Sequence, residues 1–217
     1  MQRTLFGVLV VVALVVIGGV WFLGRSKAPA GTASGGIQNP DPLLQARIVY
    51  GAPDAPVTVV DFSNYRCPHC RNHALNALPK IFARYVDSGK VRYVFRALPF
   101  SGQTDVFDMS VASACVYEQD PERFVAYHEL LFRAVDDWAG KTGEALIGRA
   151  LDYARQLSLD TGRLKACIEE GKTREEVAFD QKLAASLGVD GTPTFFINGK
   201  KYVGFMPFEK WQTILGP

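Results

Sequence analysis

The chain has 217 residues, 48% of them hydrophobic, enough for one globular domain with a sizeable core and a segment to spare. Its 24 basic and 22 acidic side chains leave a net charge of +2, too small to mark a nucleic-acid binder or an enzyme for strongly acidic substrates. It carries no internal repeat and no long run of like charge.

Residues 5–23, LFGVLVVVALVVIGGVWFL, hold no charged side chain. At about 1.5 Å per residue they come close to crossing the ~30 Å hydrocarbon core of a bilayer as a helix. A buried core helix is disfavoured, because the stretch is apolar on every face and leads into a linker. A cleaved signal peptide would have a shorter apolar run with a small-residue cleavage site directly after it, whereas Arg25 and Lys27 precede Ala28-Pro29-Ala30. The segment therefore reads as a transmembrane signal-anchor, with residues 1–4 as a short cytoplasmic tip. Residues 24–41, rich in Gly, Ala, Ser and Pro, read as a flexible linker. The domain proper is expected over 42–217.

Val57 to Phe62 is a β-branched run that reads as a buried strand. From Pro68 the period changes, with Ala74, Leu78, Ile81, Phe82 and Tyr85 at helical spacing, Pro79 as a kink and Gly89 as a stop. Val91 to Leu98 reads as a second strand, so the first two strands should be parallel across a helical crossover. Residues 103–188 are almost wholly helical in pattern, with a cap and first-turn proline at Asp120-Pro121. Thr194 to Ile197 and Lys200 to Val203 flank Asn198-Gly199, a two-residue hairpin signal, and Pro207 opens a last helix. The expected class is α/β: a small mixed sheet with flanking helices, split by a helical insertion.

Cys67-Pro68-His69-Cys70 lies where strand gives way to helix. Unpaired N–H groups and the helix dipole at that end favour a thiolate on Cys67, lowering its pKa from about 8.5 toward the ~3.5–7.5 range. Pro68 suits the first turn, and His69 can donate a hydrogen bond or positive charge to the thiolate. Stabilising that thiolate stabilises the dithiol and makes the disulfide more oxidising, by about 30 mV for each ~1.4 kcal/mol.

Two rivals compete for the pair. Zinc could take Cys67, Cys70 and His73, but a fourth ligand is missing nearby. A structural staple over so short a loop would constrain little. Asp61, within VTVVDF, is either a buried carboxyl that relays protons for Cys70 or a strand-end acid, solvated or bridged to Arg92 or Arg96. Thr192-Pro193 directly before a strand is compatible with a cis peptide or with a trans turn.

An acid six residues before CPHC, a helix that starts inside it, a helical insertion, then TPTFFINGK and a closing helix together resemble the thioredoxin superfamily. Within it, CPHC and the insertion resemble the DsbA-like thiol:disulfide oxidoreductases of bacterial envelopes, over roughly Ile48 to Leu215. The resemblance implies a thioredoxin fold, Cys67 as nucleophile, Cys70 as resolving cysteine, His69 as thiolate stabiliser and Asp61 as the buried acid. It further implies Thr192 and Pro193 as the cis-proline segment that binds substrate peptide beside Pro68. The aspartate departs from members that have glutamate, and the anchor departs from freely soluble members.

Cys115 and Cys167 lie on apolar faces of insertion helices, where two buried thiols or one structural disulfide would fit. The pattern in relatives with this insertion favours the disulfide. The resemblance implies no organic cofactor or metal. It does imply envelope or secreted protein thiols as substrates, a membrane partner that regenerates the pair, and a single-pass protein of the bacterial cell membrane with its catalytic domain outside. The threonine before Pro193 keeps a reductase or isomerase in play, and an anchored non-enzymatic binding domain is the remaining alternative.

Overall fold

Residues 42–216 are described in a computed structural model of the chain. The expected anchor and linker, 5–23 and 24–41, lie outside the described residues. Among the described residues no helix is long and apolar enough to cross a membrane.

Five strands form one sheet: β1 (Val49–Tyr50), β2 (Val57–Ser63), β3 (Val91–Ala97), β4 (Thr194–Ile197) and β5 (Lys200–Val203), in the order β1-β3-β2-β4-β5. β2 and β3 are parallel, in register from Val57 opposite Val91 to Ser63 opposite Ala97, as the crossover requires. The other pairings are antiparallel. β1 escapes a periodicity reading because two residues cannot show an alternation. At the β4–β5 turn Asn198 and Gly199 both take positive φ, 46° and 80°, the backbone that a two-residue hairpin demands of this dipeptide.

Alternation along the strands sends side chains to two covered faces. Val59, Tyr93, Phe95, Phe195 and Ile197 face a layer built by the helix after Cys67 and by the closing helix, through Leu78, Ile81, Tyr85 and Trp211. Val60, Phe62, Val94 and Phe196 face Leu43, Leu183 and Ala184. Val59, Phe62, Val91 and Phe195 are fully buried, each worth about 1.5–3 kcal/mol of transfer free energy.

The helix after Cys67 is interrupted in a regular way. α1 (Pro68–Asn72) leads into a wide turn at His73–Ala77, then α2 (Leu78–Ile81) and a second wide turn at Phe82–Val86. The Leu78 N–H reaches back five residues to the His73 carbonyl. Pro79 explains the first wide turn: its ring would clash with the carbonyl four residues back in a regular helix. The kink expected at Pro79 thus takes the form of a π turn just before it.

The insertion runs through α3 (Thr104–Gln119), α4 (Pro121–Arg133), α5 (Val135–Trp138), α6 (Gly143–Gln156), α7 (Thr161–Glu170) and α8 (Arg174–Ser186), and α9 (Phe208–Leu215) closes the chain. Asp120 caps α4 by accepting from the Arg123 N–H, and Pro121 occupies its first turn, as expected. The insertion has its own core, in which Met109, Tyr127, Leu131, Trp138 and Leu164 pack with Tyr65, Cys70 and Ala74. The same helices therefore form the wall behind the cysteine pair. Cys115 on α3 and Cys167 on α7 are joined by a disulfide with Cα atoms 5.9 Å apart. Its closed loop of 52 residues corresponds to about 4 kcal/mol of lost denatured-state entropy.

Candidate active site

Cys67 is the N-cap of α1, with extended backbone at φ −84° and ψ 121°, and its Sγ accepts from the Cys70 N–H at 3.4 Å. Pro68, at the first helical position and exposed, has no N–H to leave unpaired. The cysteine thus stands where a serine or aspartate cap would, with a sulfur aimed at unpaired backbone donors.

The two sulfurs are unlike. Cys67 is half-buried; Cys70 is fully buried against the insertion core, and its Sγ accepts from the Asn64 N–H at 3.5 Å. A hydrogen bond from the Cys70 thiol lowers the Cys67 pKa most, and Thr192 and the backbone N–H groups of Cys70 and His69 add to it against partial burial, bringing it to about 5. Burial, followed by the bond to Cys67 and its negative charge, pushes Cys70 well above the usual thiol range. The pair therefore holds one thiolate and one thiol at neutral pH.

Thr192-Pro193 is cis, and the loop lies against the pair: the Cys67 Sγ is 3.2 Å from the Thr192 carbonyl oxygen, a contact in which the thiol form of Cys67 donates. Pro193 also ties the loop to the hairpin, its carbonyl accepting from the Gly204 N–H at 2.8 Å.

His69 is exposed, and its contact with Cys67 is through its backbone N–H. In α1 the second helical position turns the His69 side chain to solvent and its amide to the cap.

Asp61 is fully buried and bridged to neither Arg92 nor Arg96. Arg96 points to the opposite face, where its Nη1 lies 2.6 Å from Asp180 Oδ1. Asp61 Oδ2 instead accepts from the Tyr93 hydroxyl at 2.9 Å. Burial raises its pKa to about 7, with the Cys67 charge adding to the rise and the Tyr93 bond opposing it.

His73, the third zinc ligand of the rival reading, is buried with Nε2 2.9 Å from the Tyr93 hydroxyl. Among the described residues no three His, Cys, Asp or Glu side chains gather as a metal site. The sequence singles out neither Tyr93 nor Asn64, although Tyr93 and its partner His73 each carry a signal of shared position. Tyr93 has the strand parity that puts it on the Asp61 face, and His73 follows Cys70 by one helical turn.

Fold and site together define a dithiol–disulfide enzyme with a thioredoxin sheet, and the comparisons agree. A family model for thioredoxin matches residues 44–216, and the chain belongs to that family. Within it the chain is a DsbA-like thiol:disulfide oxidoreductase, similar to disulfide bond formation protein D of Bacillus subtilis, with 29% identity over 170 residues that cover 78% of this chain and 75% of that one. It is also similar to the crystal structure of oxidised BdbD from Bacillus subtilis, at 28% identity and a TM-score of 0.66, covering 78% of this chain and 90% of that one. The crystal structure of Wolbachia pipientis α-DsbA1 aligns at 25% identity and a TM-score of 0.69, covering 81% and 94%.

Proposed function

We propose that the enzyme works as an oxidant, donating its Cys67–Cys70 disulfide to protein thiols outside the cytosol. The observation that carries this reading is the inequality of the two sulfurs: a half-buried Cys67 set on backbone donors and a fully buried Cys70 behind it. A substrate thiolate attacks Cys67 Sγ; the S–S bond breaks, and its electron pair goes to Cys70 Sγ, which takes up a proton. A second substrate thiolate then attacks the substrate sulfur of the mixed disulfide. Cys67 leaves as a stabilised thiolate, and the substrate dithiol has become a disulfide.

Thr192 and Pro193, beside Cys67, are the segment along which the substrate peptide lies, with Pro68 at its edge. His69 acts at the thiolate chiefly through its backbone. The apolar segment 5–23 serves as a single-pass anchor, which holds the domain on the extracytoplasmic face of a bacterial membrane where disulfides persist. A membrane-bound partner then reoxidises the dithiol.

Thiol trapping of Cys67 and Cys70 in growing cells tests the direction. A pair found mostly as disulfide supports the oxidant; a pair found mostly as dithiol assigns reductase or isomerase work.

A further inference from the structure

Asn64 is the first residue past β2 and is 1% exposed. All its polar groups are engaged. Its Nδ2 donates to the Leu98 carbonyl at 2.8 Å and to Gln103 Oε1 at 2.7 Å, and its Oδ1 accepts from the Arg66 N–H at 2.9 Å. Two acceptors on one side and a donor on the other leave a single orientation for the side-chain amide. The backbone of Asn64 faces both cysteines: its carbonyl accepts from the Cys67 N–H at 3.0 Å, and its N–H donates to Cys70 Sγ at 3.5 Å.

The end of the sheet makes this contact possible. β4 begins at Thr194, opposite Phe62, and the β2–β3 register ends at Ser63 opposite Ala97, so the Asn64 N–H lies beyond the ladder. A buried N–H without a partner costs free energy, and here Cys70 Sγ is the partner. The side chain takes over where the ladder stops, pinning the turn to the end of β3 and to Gln103, whose Oε1 also accepts from the Phe100 N–H at 3.0 Å. A turn-forming asparagine needs only the Oδ1 bond to the residue two further on. The two Nδ2 bonds go further and fix where the Asn64 peptide stands.

We propose that Asn64 is a positioning residue for disulfide opening: its side chain fixes its own backbone N–H against Cys70 Sγ, where that N–H stabilises the negative charge of the leaving sulfur. The proposal rests on the reading of Cys67 as the sulfur that substrate attacks. Both cysteines of the pair are free thiols in this structure, so the contact is the one made to Cys70 once the disulfide has opened. The substrate thiolate forms a bond to Cys67 Sγ, the Cys67–Cys70 bond breaks, and its electron pair goes to Cys70 Sγ. The N–H stays on Asn64 throughout and gives a charge-assisted hydrogen bond to a sulfur that is fully buried from water. The Ser63 hydroxyl is a second donor to that sulfur, and both lower its pKa against the larger effect of burial. Cys67 draws on the amides of Cys70 and His69 in the same way, so each sulfur has backbone donors of its own.

Two thiol-exchange rates on the full chain separate this role from a loss of structure. The first is opening of the Cys67–Cys70 disulfide by glutathione, in which Cys70 leaves. The second uses a Cys70→Ala background, where free glutathione attacks the glutathione sulfur of a Cys67 mixed disulfide and Cys67 leaves. Asn64→Ala should slow the first rate by up to about tenfold, the size of one hydrogen bond to a charged group, and leave the second unchanged. Gln103→Leu, which removes an acceptor of Asn64 Nδ2, should slow the first rate by less; Gln103→Glu, which keeps an acceptor oxygen there, should recover it. A structural role alone would lower the melting temperature and either spare both rates or change both together. An unchanged first rate in folded Asn64→Ala, or equal slowing of the two, overturns the proposal. Should Asn64→Ala fail to fold, the two Gln103 variants decide by the same comparison. A Cys70→Ala chain that forms no mixed disulfide would sink the assignment of Cys67 as the attacked sulfur, an outcome distinct from any change in rate.

Discussion

The amide nitrogen of Cys70 lies 3.4 Å from Cys67 Sγ, within the first turn of the helix that Cys67 caps. One cysteine therefore supplies the other with a backbone donor and, as a thiol, with a second one from its side chain. Stabilisation of the attacked sulfur is built into the spacing of the pair, because only at three residues' separation does the cap side chain meet the third amide of the turn.

The division of labour between the sulfurs gives the first prediction. Cys67→Ser should abolish disulfide donation to a reduced test protein. Cys70→Ala should leave Cys67 able to react but unable to close, so that mixed disulfides with substrates accumulate and are seen as shifted bands on non-reducing gels. Capture by the Cys70 rather than the Cys67 position would reverse the assignment.

Thiolate absorbance near 240 nm in the reduced protein should show a midpoint at about 5. The sign for stability follows from a folded value below the model value of 9.0. The contribution is fully present above about pH 9 and is lost as pH falls through 5. Melting temperatures of the reduced and oxidised forms should move accordingly over that window, the reduced form losing ground to the oxidised as the medium is acidified.

Asp61 shifts the opposite way. Its pKa is raised from 3.8 to about 7, so the stability it contributes is present below about pH 3.8 and lost as pH rises through 7. Asp61→Asn should stabilise the oxidised form above pH 7 by about 2–4 kcal/mol in chemical denaturation. If Asp61 is the acid that protonates Cys70, as the family resemblance implies, the same variant should also slow opening of the disulfide by substrate thiol. Faster opening with unchanged stability would contradict both halves.

The exposed ring of His69 is screened by water, whereas its amide acts at short range. His69→Ala keeps the amide, and its Cys67 midpoint should rise by less than about one unit. A rise of two units or more would return the main role to the ring.

Removing the Cys115–Cys167 disulfide by a double alanine substitution should cost stability, up to the ~4 kcal/mol that its loop length implies. Because the bridge joins α3 to α7 and supplies none of the hydrogen bonds that lower the Cys67 pKa, the Cys67 midpoint should stay near 5. Equilibrium unfolding and thiolate titration on the same variant separate the two effects.

Much of this molecule is written in local patterns. The β-branched run at Val57, the helical period after Pro68 and the Asn198-Gly199 turn each follow from short-range sterics and periodicity, and each forms as read. The cap position of Cys67 was legible for the same reason: a strand end, a proline and a helical period fix the backbone around it. The sequence by itself thus determined the longer elements, their order and the reactive pair, but not the two-residue β1 or the one-turn α5. Only the tertiary structure decided what surrounds that pair. The choice of Tyr93 over an arginine as the partner of Asp61, the burial of His73 against Tyr93 and the meeting of Cys115 with Cys167 all depend on contacts between residues distant in the chain. Such contacts are set by strand register and by how the insertion packs on the sheet, and neither leaves a periodic trace in the residues that make them.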